Sequence, residues 1–297
     1  MRKYRKAASD ATFGYTMVAP ALLLFLLFVI YPFFKGFWVS FHRWDGFSSM
    51  TWIGLQNYSF VMADDVFWKA LKNTIIYAIA SPIFKNVMGL ALALLFVKSL
   101  KGMYLFRVST YIPYTFGYVV VGVLWTWVYN PSFGLLNKAL EVLHMPFLVQ
   151  GWLSDPNIAL YSVIAVDVWK CMGFHAILYL AGLNAIPRDL YEAADIDGAN
   201  GWQKFRSVTI PQLNSTIVMS FLLATTGAFI NNYDVVNIMT QGGPFNSTEV
   251  VLTHIMATAF KFGAVGKANA MSIILVAFVA IIGFIQLKAM TREDNYE

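Results

Sequence analysis

Polar side chains that interrupt long apolar runs are the residues of this sequence best suited to bind a ligand. The densest group lies near the end of one run and comprises Asn231, Asn232, Tyr233, Asp234 and Asn237. Hydroxyl-rich ligands need paired hydrogen-bond donors and acceptors with an aromatic face nearby, and this group offers both. We therefore expect these residues to line a pathway for a hydroxyl-rich ligand, and a hydrated helix end is the alternative interpretation.

Two further polar pairs fall within apolar runs. Lys85 and Asn86 lie near the middle of one run, and Asp167 and Lys170 lie within another. An ionisable group at membrane depth costs about 3 kcal/mol, so such groups face protein or water. The i, i+3 spacing predicts an Asp167–Lys170 ion pair on one helix face, with substrate contact as the alternative. The long side chain of Lys85 either extends to the membrane–water interface or contacts an anionic substrate. We include Lys85 and Asn86 among the candidates for the substrate pathway.

The composition is that of a membrane protein. Of the 297 residues, 58% are apolar and only 12% are charged, whereas about 25% are charged in soluble domains. The basic residues are spread along the chain, which argues against a nucleic-acid partner. The single cysteine, Cys171, excludes an intrachain disulfide, and the four histidines lack the spacing of metal ligands. We predict neither a metal site nor a catalytic centre.

Six apolar runs are long enough to cross a hydrocarbon core about 30 Å thick. They lie near residues 16–34, 71–97, 108–129, 158–183, 215–236 and 271–287. The first run is longer than the apolar part of a signal peptide and lacks a small-residue cleavage site, so we expect it to be retained. The predicted fold is an all-α, multi-pass membrane protein.

Lys and Arg in the connections predict the orientation. Connections on the side of the N-terminus carry twelve of these residues over about 64 positions, against seven over about 96 positions on the other side. Both termini should therefore be cytoplasmic, and the mixed polar segment 35–69 external. We divide the chain into an N-terminal part (1–70), a transmembrane domain (71–288) and a C-terminal tail (289–297).

A polar island at residues 192–213 separates the fourth and fifth runs. Pro187 is suited to the first turn of a helix that Gly198 would end. Asn200 and Gln203 predict a capping box for a second short helix, and Pro211 is expected to open the next membrane helix. The result is a helix–turn–helix on the cytoplasmic side, which is either a docking surface or a connector on lipid headgroups. Its acidic residues fit an anionic leaflet poorly, which favours docking.

This island resembles the EAA loop of permease subunits of bacterial ATP-binding-cassette importers that depend on a solute-binding protein. The resemblance rests on residues from Glu192 to Pro211, namely Glu192, Ala193, Ala194, Asp197, Gly198, Ala199, Phe205, Ile210 and Pro211. It implies the fold of a type I importer permease, in which loop 187–211 forms the coupling helix in a cleft of the ATPase subunit.

A second segment resembles one particular class of these permeases. Thr240 and Gln241 precede Gly242, Gly243 and Pro244, and this sequence is similar to the external segment after the fifth helix in sugar importer permeases of the maltose-permease-first-subunit class. By itself the Gly-Gly-Pro sequence is only a turn signal. The resemblance implies a position beside the point where substrate enters.

The resemblance implies a subunit of an ATP-driven sugar or oligosaccharide importer in a bacterial cytoplasmic (inner) membrane. Its partners would be a second homologous permease, two cytoplasmic ATPase subunits, an extracytoplasmic solute-binding protein, the sugar and membrane lipid. Gly263, Gly266 and Lys267 lack the spacing of a phosphate-binding loop, so ATP and Mg²⁺ should be bound by the partners. The alternatives are a permease for another solute such as glycerol phosphate and, from another class, a membrane-embedded enzyme.

Overall fold

The computed structural model describes residues 16–97 and 101–291 and is mostly helical, as predicted. The elements in chain order are α1 (Thr16–Val39), β1 (His42–Arg43), β2 (Thr51–Trp52), α2 (Gln56–Met62), α3 (Asp65–Phe96), α4 (Met103–Thr115), α5 (Tyr118–Val128), α6 (Leu135–Val142), α7 (Ala159–Ala185), α8 (Arg188–Ile196), α9 (Gly201–Gln212), α10 (Asn214–Ile230), α11 (Asn232–Met239), α12 (Val251–Met256) and α13 (Val265–Thr291). The helices group into two compact units.

Four helices, α1, α3, α7 and α13, are each long and apolar enough to cross a membrane. Two pairs of shorter helices pass the same criterion together, although each pair is bent: α4 and α5 by 104°, and α9 and α10 by 68°. If each bent pair is one span, the described residues contain six, which agrees with the six apolar runs.

The smaller unit comprises described residues 16–64 and 255–278. A two-stranded antiparallel hairpin, in which His42 faces Trp52, follows α1. The buried side chain of Asn57 donates to the Ser40 and His42 carbonyls at 2.8 Å, which holds α2 against the first strand. An ion pair of 2.7 Å joins Lys267 to Asp64. The sequence predicted a mixed polar connection here but no strand, because two-residue strands are too short to show a period.

In the larger unit, α3 packs along α7, and both helices contact α10. Small residues allow the backbones to approach closely. A Cβ atom added to Gly89 of α3 would lie 2.7 Å from the Cβ of His175 of α7. His175 in turn hydrogen-bonds Ser220 of α10 at 2.8 Å. The buried core around α3 and α7 also includes α5 and α11 residues such as Val121 and Val235.

A buried carboxylate lies at the centre of this packing. Asp167 of α7 is completely buried and forms an ion pair of 2.7 Å with Lys85 of α3, which is 2% exposed. The same carboxylate accepts hydrogen bonds from Ser81 at 2.7 Å and from Tyr118 of α5 at 3.0 Å. Burying a charge is tolerated only when it is paired and hydrogen-bonded, and this one is both.

The predicted pairing of Asp167 with Lys170 is therefore wrong. The Lys170 ammonium donates to the Tyr114 carbonyl at 3.0 Å and lies over the rings of Tyr118 and Tyr114, 4.5 and 5.0 Å from their centroids. The Tyr114 carbonyl belongs to the last turn of α4, where such oxygens lack a helical partner and favour a cation. A nearby helix end thus engages Lys170, while Lys85 from another helix engages Asp167.

The third span is broken, although its sequence reads as one apolar run. Pro113 lies inside α4, and residues Phe116 and Gly117 have extended backbone conformations that end one helix and start the next. Pro113 removes the hydrogen bond to the Ser109 carbonyl one turn earlier, whereas the break itself lies three residues after the proline, at Phe116 and Gly117. The expected single helix over 108–129 is two helices.

The start of the fifth span also differs from the expectation. Pro211 does not open the membrane helix: it lies near the end of α9, and the chain bends at Leu213 before α10 begins at Asn214. A π-helical turn at Phe205–Thr209 ends two residues before the proline. A wider turn of this kind accommodates a residue that cannot pair at the usual spacing.

Several predictions of orientation rest on residues outside the described ranges. These are the basic residues Arg2, Lys3, Arg5, Lys6, Lys98 and Arg292. The cytoplasmic position of both termini stays a prediction.

Replacing Lys85 by methionine should destabilise the protein strongly, because it leaves the Asp167 carboxylate buried without a cation. The expected cost is about 3–5 kcal/mol, and adding Asp167→Asn should recover much of it by removing the uncompensated charge. Thermal unfolding of the detergent-solubilised protein measures both effects. Arg188→Met is the control, since the Arg188–Glu192 pair is exposed and its loss should cost less than about 1 kcal/mol. Equal stability of the single and double variants would contradict the interpretation.

Candidate functional site

Loop 187–212 forms a compact helix–turn–helix. Pro187 has a non-helical conformation and immediately precedes α8. Gly198 follows the helix with φ at +74°, and the amides of Gly198 and Ala199 donate to the Asp195 and Ala194 carbonyls at 3.1 and 2.9 Å. These two bonds form a Schellman motif, which satisfies the last carbonyls of α8. The turn therefore depends on a residue that adopts a positive φ without strain.

The second helix of this loop starts with a complete capping box. The Gln203 amide donates to the Asn200 side chain at 3.0 Å, and the Asn200 amide donates to the Gln203 side chain at 2.7 Å. Lys204 of α9 reaches back to Asp195 of α8 with an ion pair of 2.7 Å. The predicted capping box is confirmed, and the two short helices are held together by side chains within the loop.

The outer surface of the loop presents polar and apolar groups together. Glu192, Ala193, Asp197 and Gly198 are exposed, whereas Ala194, Ala199 and Phe205 are half-buried and Pro211 is exposed. Two large apolar side chains that the sequence reasoning missed are also exposed: Ile196 is 87% exposed and Trp202 is 68% exposed. The sequence signal for these two residues was their position in a polar segment, where a large apolar side chain is unusual. Exposed aromatic and aliphatic groups of this kind are typical of a docking surface.

The polar cluster of the fifth span lies at a joint between two helices. Asn231 separates α10 from α11, and Asn232, Tyr233, Asp234 and Asn237 belong to α11. Asp234 and Asn237 are exposed, and Asn231 and Tyr233 are half-buried. Asn232 is 1% exposed, yet its Oδ1 atom has no hydrogen-bond partner among the described residues. A buried acceptor without a donor costs about 1–3 kcal/mol, so this atom needs a donor that the described residues do not supply.

The other two pathway candidates are engaged inside the protein. Lys85 pairs with Asp167, as described above. Asn86 accepts a hydrogen bond from the Tyr179 hydroxyl at 2.6 Å and donates to the Pro82 carbonyl at 2.7 Å. Both side chains lie in the contact between α3 and α7, where they hold the two helices in register.

The Gly242-Gly243-Pro244 segment begins a tightly folded loop after α11. Gly242 has φ at +83°, and a side chain there would collide with the Glu249 carboxylate. The Thr248 hydroxyl donates to the Gly243 carbonyl at 2.8 Å and contacts the Thr240 hydroxyl at 2.7 Å. The peptide bond before Pro244 is cis. The sequence predicted a turn at this position, and the structure contains one.

The side chain of Asn73 of α3 holds this loop in place through hydrogen bonds, and the sequence analysis did not predict this role. Its buried side-chain amide donates to the Ser247 and Glu249 carbonyls at 3.0 and 2.9 Å. The neighbouring Thr74 hydroxyl accepts from the Val251 amide at 3.0 Å. An asparagine two turns into an apolar helix is the signal that could have indicated this role, because a buried amide needs partners.

Comparisons with known proteins identify relatives over almost the whole chain. The family model described as "Binding-protein-dependent transport system inner membrane component" matches residues 85–289. The permease protein MalF of a trehalose/maltose transport system in Thermococcus litoralis is 35% identical over 286 residues, which cover 95% of this chain and 92% of that protein. AmyD of Thermoanaerobacterium thermosulfurigenes, a probable starch degradation products transport system permease protein, is 30% identical and covers 99% of both chains.

A solved structure shares the fold. A chain of a bacterial ABC transporter involved in importing the acidic polysaccharide alginate superposes with a TM-score of 0.84 at 24% identity, covering 98% of this chain and 99% of that one. The predicted type I importer permease fold, with several membrane-spanning helices, is confirmed.

Replacing Asn73 by leucine should loosen the loop after α11, because two buried carbonyls lose their donor. Without these hydrogen bonds, the backbone amides of Thr248 and Val251 should exchange with solvent about tenfold or more faster. Hydrogen–deuterium exchange mass spectrometry measures this rate. Lys72→Leu is the matched control, since the exposed Lys72 is the preceding residue of the same helix. Unchanged exchange of segment 240–251 in the Asn73 variant would contradict this role.

Proposed function

Because this chain belongs to the family of binding-protein-dependent transport system inner membrane components, we propose that it is one transmembrane subunit of an ATP-driven importer of sugars or oligosaccharides. The named relatives that match it over most of their length include permeases for trehalose, maltose and starch degradation products. The observation that carries the proposal is the exposed, internally braced helix–turn–helix at 187–212, which has the form of a coupling loop.

The proposed subunit works by alternating access with a second homologous permease. Two ATPase subunits bind ATP and Mg²⁺ in the cytoplasm, and an extracytoplasmic solute-binding protein delivers the sugar. The proposed orientation puts loop 187–212 and both termini in the cytoplasm, following the asymmetry of Lys and Arg in the connections. The loop containing Gly242, Gly243 and Pro244 then faces the outside, beside the place where substrate enters.

We assign the contact with the ATPase subunit to the outer surface of the helix–turn–helix. Glu192, Asp197 and Gly198 lie on the surface that would enter the cleft of the ATPase, and Ile196 and Trp202 add apolar area. The Schellman motif, the capping box and the Lys204–Asp195 pair keep the two helices fixed against each other. A braced loop can transmit a displacement of the ATPase to α7 and α10, because it moves as one body.

Substitution of Gly198 separates the role of the turn from the role of the surface. Nothing lies within 4 Å of a Cβ atom added at Gly198, so the substitution is limited by the backbone alone. Gly198→Val should strain the positive φ by about 1–3 kcal/mol, whereas Gly198→Asn should be tolerated. We expect the valine variant to lose at least about tenfold in transport-coupled ATP hydrolysis or in co-purification with the ATPase, and the asparagine variant to retain both.

The coupling test has an internal control. Sugar binding by the isolated solute-binding protein does not involve this loop and should be unaffected by either variant. A Gly198→Val variant, or a Glu192→Ala/Gly198→Val double variant, with normal uptake would refute the coupling assignment.

We place the sugar pathway at the joint between α10 and α11. Asn231, Asn232, Tyr233, Asp234 and Asn237 supply donors, acceptors and an aromatic ring within a few residues of one another. The buried, unpartnered Oδ1 atom of Asn232 supports the assignment, because a ligand hydroxyl would satisfy it. Lys85 and Asn86 have their polar groups engaged between α3 and α7, and we assign them a structural role.

Alanine at Asn232 or at Asp234 should reduce sugar uptake by about tenfold or more, because each change removes hydrogen-bonding groups from the pathway. Uptake of radiolabelled sugar into proteoliposomes that contain the assembled importer measures the effect, with assembly checked by size-exclusion chromatography. Asn157→Ala is the control, since Asn157 is exposed in a loop outside α10 and α11. Unchanged uptake in both pathway variants would refute the assignment.

A further inference from the structure

Two buried lysines of the larger unit are already engaged by the protein. Lys85 is paired with the Asp167 carboxylate at 2.7 Å, and both side chains are buried. Lys170, which is 4% exposed, donates to the Tyr114 carbonyl and lies against the faces of two tyrosine rings. Neither ammonium group has a free face toward a passing solute. These two buried lysines thus give an anionic substrate nothing to bind.

The exposed charge at the proposed pathway is negative. Helices α10 and α11 contain no lysine or arginine, and their one ionisable carboxyl group is Asp234. This exposed residue lies in the first turn of α11, where the helix dipole favours a negative charge without a cationic partner. Its neighbours in the cluster are the uncharged side chains of Asn231, Tyr233 and Asn237.

We propose that this subunit selects an uncharged saccharide, and that Asp234 is the residue that discriminates against anionic ones. The inference rests on the proposed function, because it takes the Asn231–Asn237 cluster as the pathway. A carboxylate accepts hydrogen bonds from sugar hydroxyls, whereas it repels the carboxylate of a uronic acid or a phosphate group. Specificity then includes a repulsive element as well as favourable contacts.

The fold alone does not determine whether the substrate is charged or uncharged. A chain with the same fold belongs to a transporter of the acidic polysaccharide alginate, so uncharged and acidic substrates are both compatible with it. The discrimination must come from side chains along the pathway. In this chain those side chains are amides, a phenol and one carboxylate.

Direct binding to the assembled permease–ATPase complex tests the proposal. The solute-binding protein is omitted, so that its own specificity does not contribute. The uncharged probes are maltotriose, cellotriose and xylotriose, and the anionic probe is trigalacturonate, which has the same number of sugar units. Saturation-transfer NMR suits the weak affinities of a transport pathway. We expect at least one uncharged trisaccharide to bind about tenfold or more tightly than trigalacturonate.

A variant of Asp234 that removes only its charge distinguishes charge repulsion from an effect of side-chain shape. Asp234→Asn keeps the size of the side chain and removes its charge, and it should reduce the preference for the uncharged probe by about threefold or more. Asp155→Asn, in the loop before α7, is the matched control and should leave the preference unchanged. Equal binding of trigalacturonate and the best uncharged trisaccharide, or an unchanged preference in Asp234→Asn, would overturn the inference.

The outcomes distinguish this inference from the proposed function. If trigalacturonate binds well and Asn232→Ala weakens its binding, the pathway assignment stands and the charge selectivity is wrong. If no probe binds, or if substitutions at Asn232 and Asp234 leave the binding of every probe unchanged, both proposals are overturned.

Discussion

One buried carboxylate constrains the arrangement of three helices in the larger unit. Asp167 of α7 is reached by Lys85 and Ser81 of α3 and by Tyr118 of α5. Leaving such a charge without its partners costs several kcal/mol, so a sliding or rotation of any of these helices is opposed by the whole group. Apolar side chains alone would not fix the register in this way, because lipid is as apolar as they are. The helices around Asp167 are therefore positioned by polar contacts.

The same region of α7 holds the break in the third span. Lys170 engages the carbonyl at the end of α4, and Asp167 engages the hydroxyl at the start of α5. The broken backbone is stabilised from both sides by residues one turn apart. Helix α5 then packs on α11, where a Cβ atom added to Gly122 would lie 2.7 Å from Ile238. A continuous series of contacts thus connects the buried ion pair with the helix that carries the polar cluster.

The features that could be predicted from sequence were local. The six apolar runs, the capping box at Asn200 and Gln203, and the turn at Gly198 each depend on residues within a few positions of one another. The partner of Asp167 could not be predicted in this way, because Lys85 belongs to another helix and helical spacing favoured Lys170. Pro211 was misplaced for a related reason: a π-helical turn accommodates it, and no local residue announces that turn. The break at Phe116 and Gly117 was not predicted, because the apolar character of the run continues through it.

The contrast between the ion pair and the polar cluster bears on how such a subunit could transport a sugar. Charges that pair at membrane depth bind strongly and rigidly, which suits the contact between α3 and α7 but would trap a solute. A transport pathway must bind its substrate well enough to admit it and weakly enough to release it. Amide and phenol groups provide directional hydrogen bonds without a strong field, and the unpartnered Oδ1 atom of Asn232 is one such group. The joint at Asn231 also interrupts the helix, so the cluster lies where the backbone can change its angle with few hydrogen bonds lost. In the proposed subunit, the buried ion pair thus stabilises the packing of the helices, and the weaker hydrogen bonds of the polar cluster bind the solute.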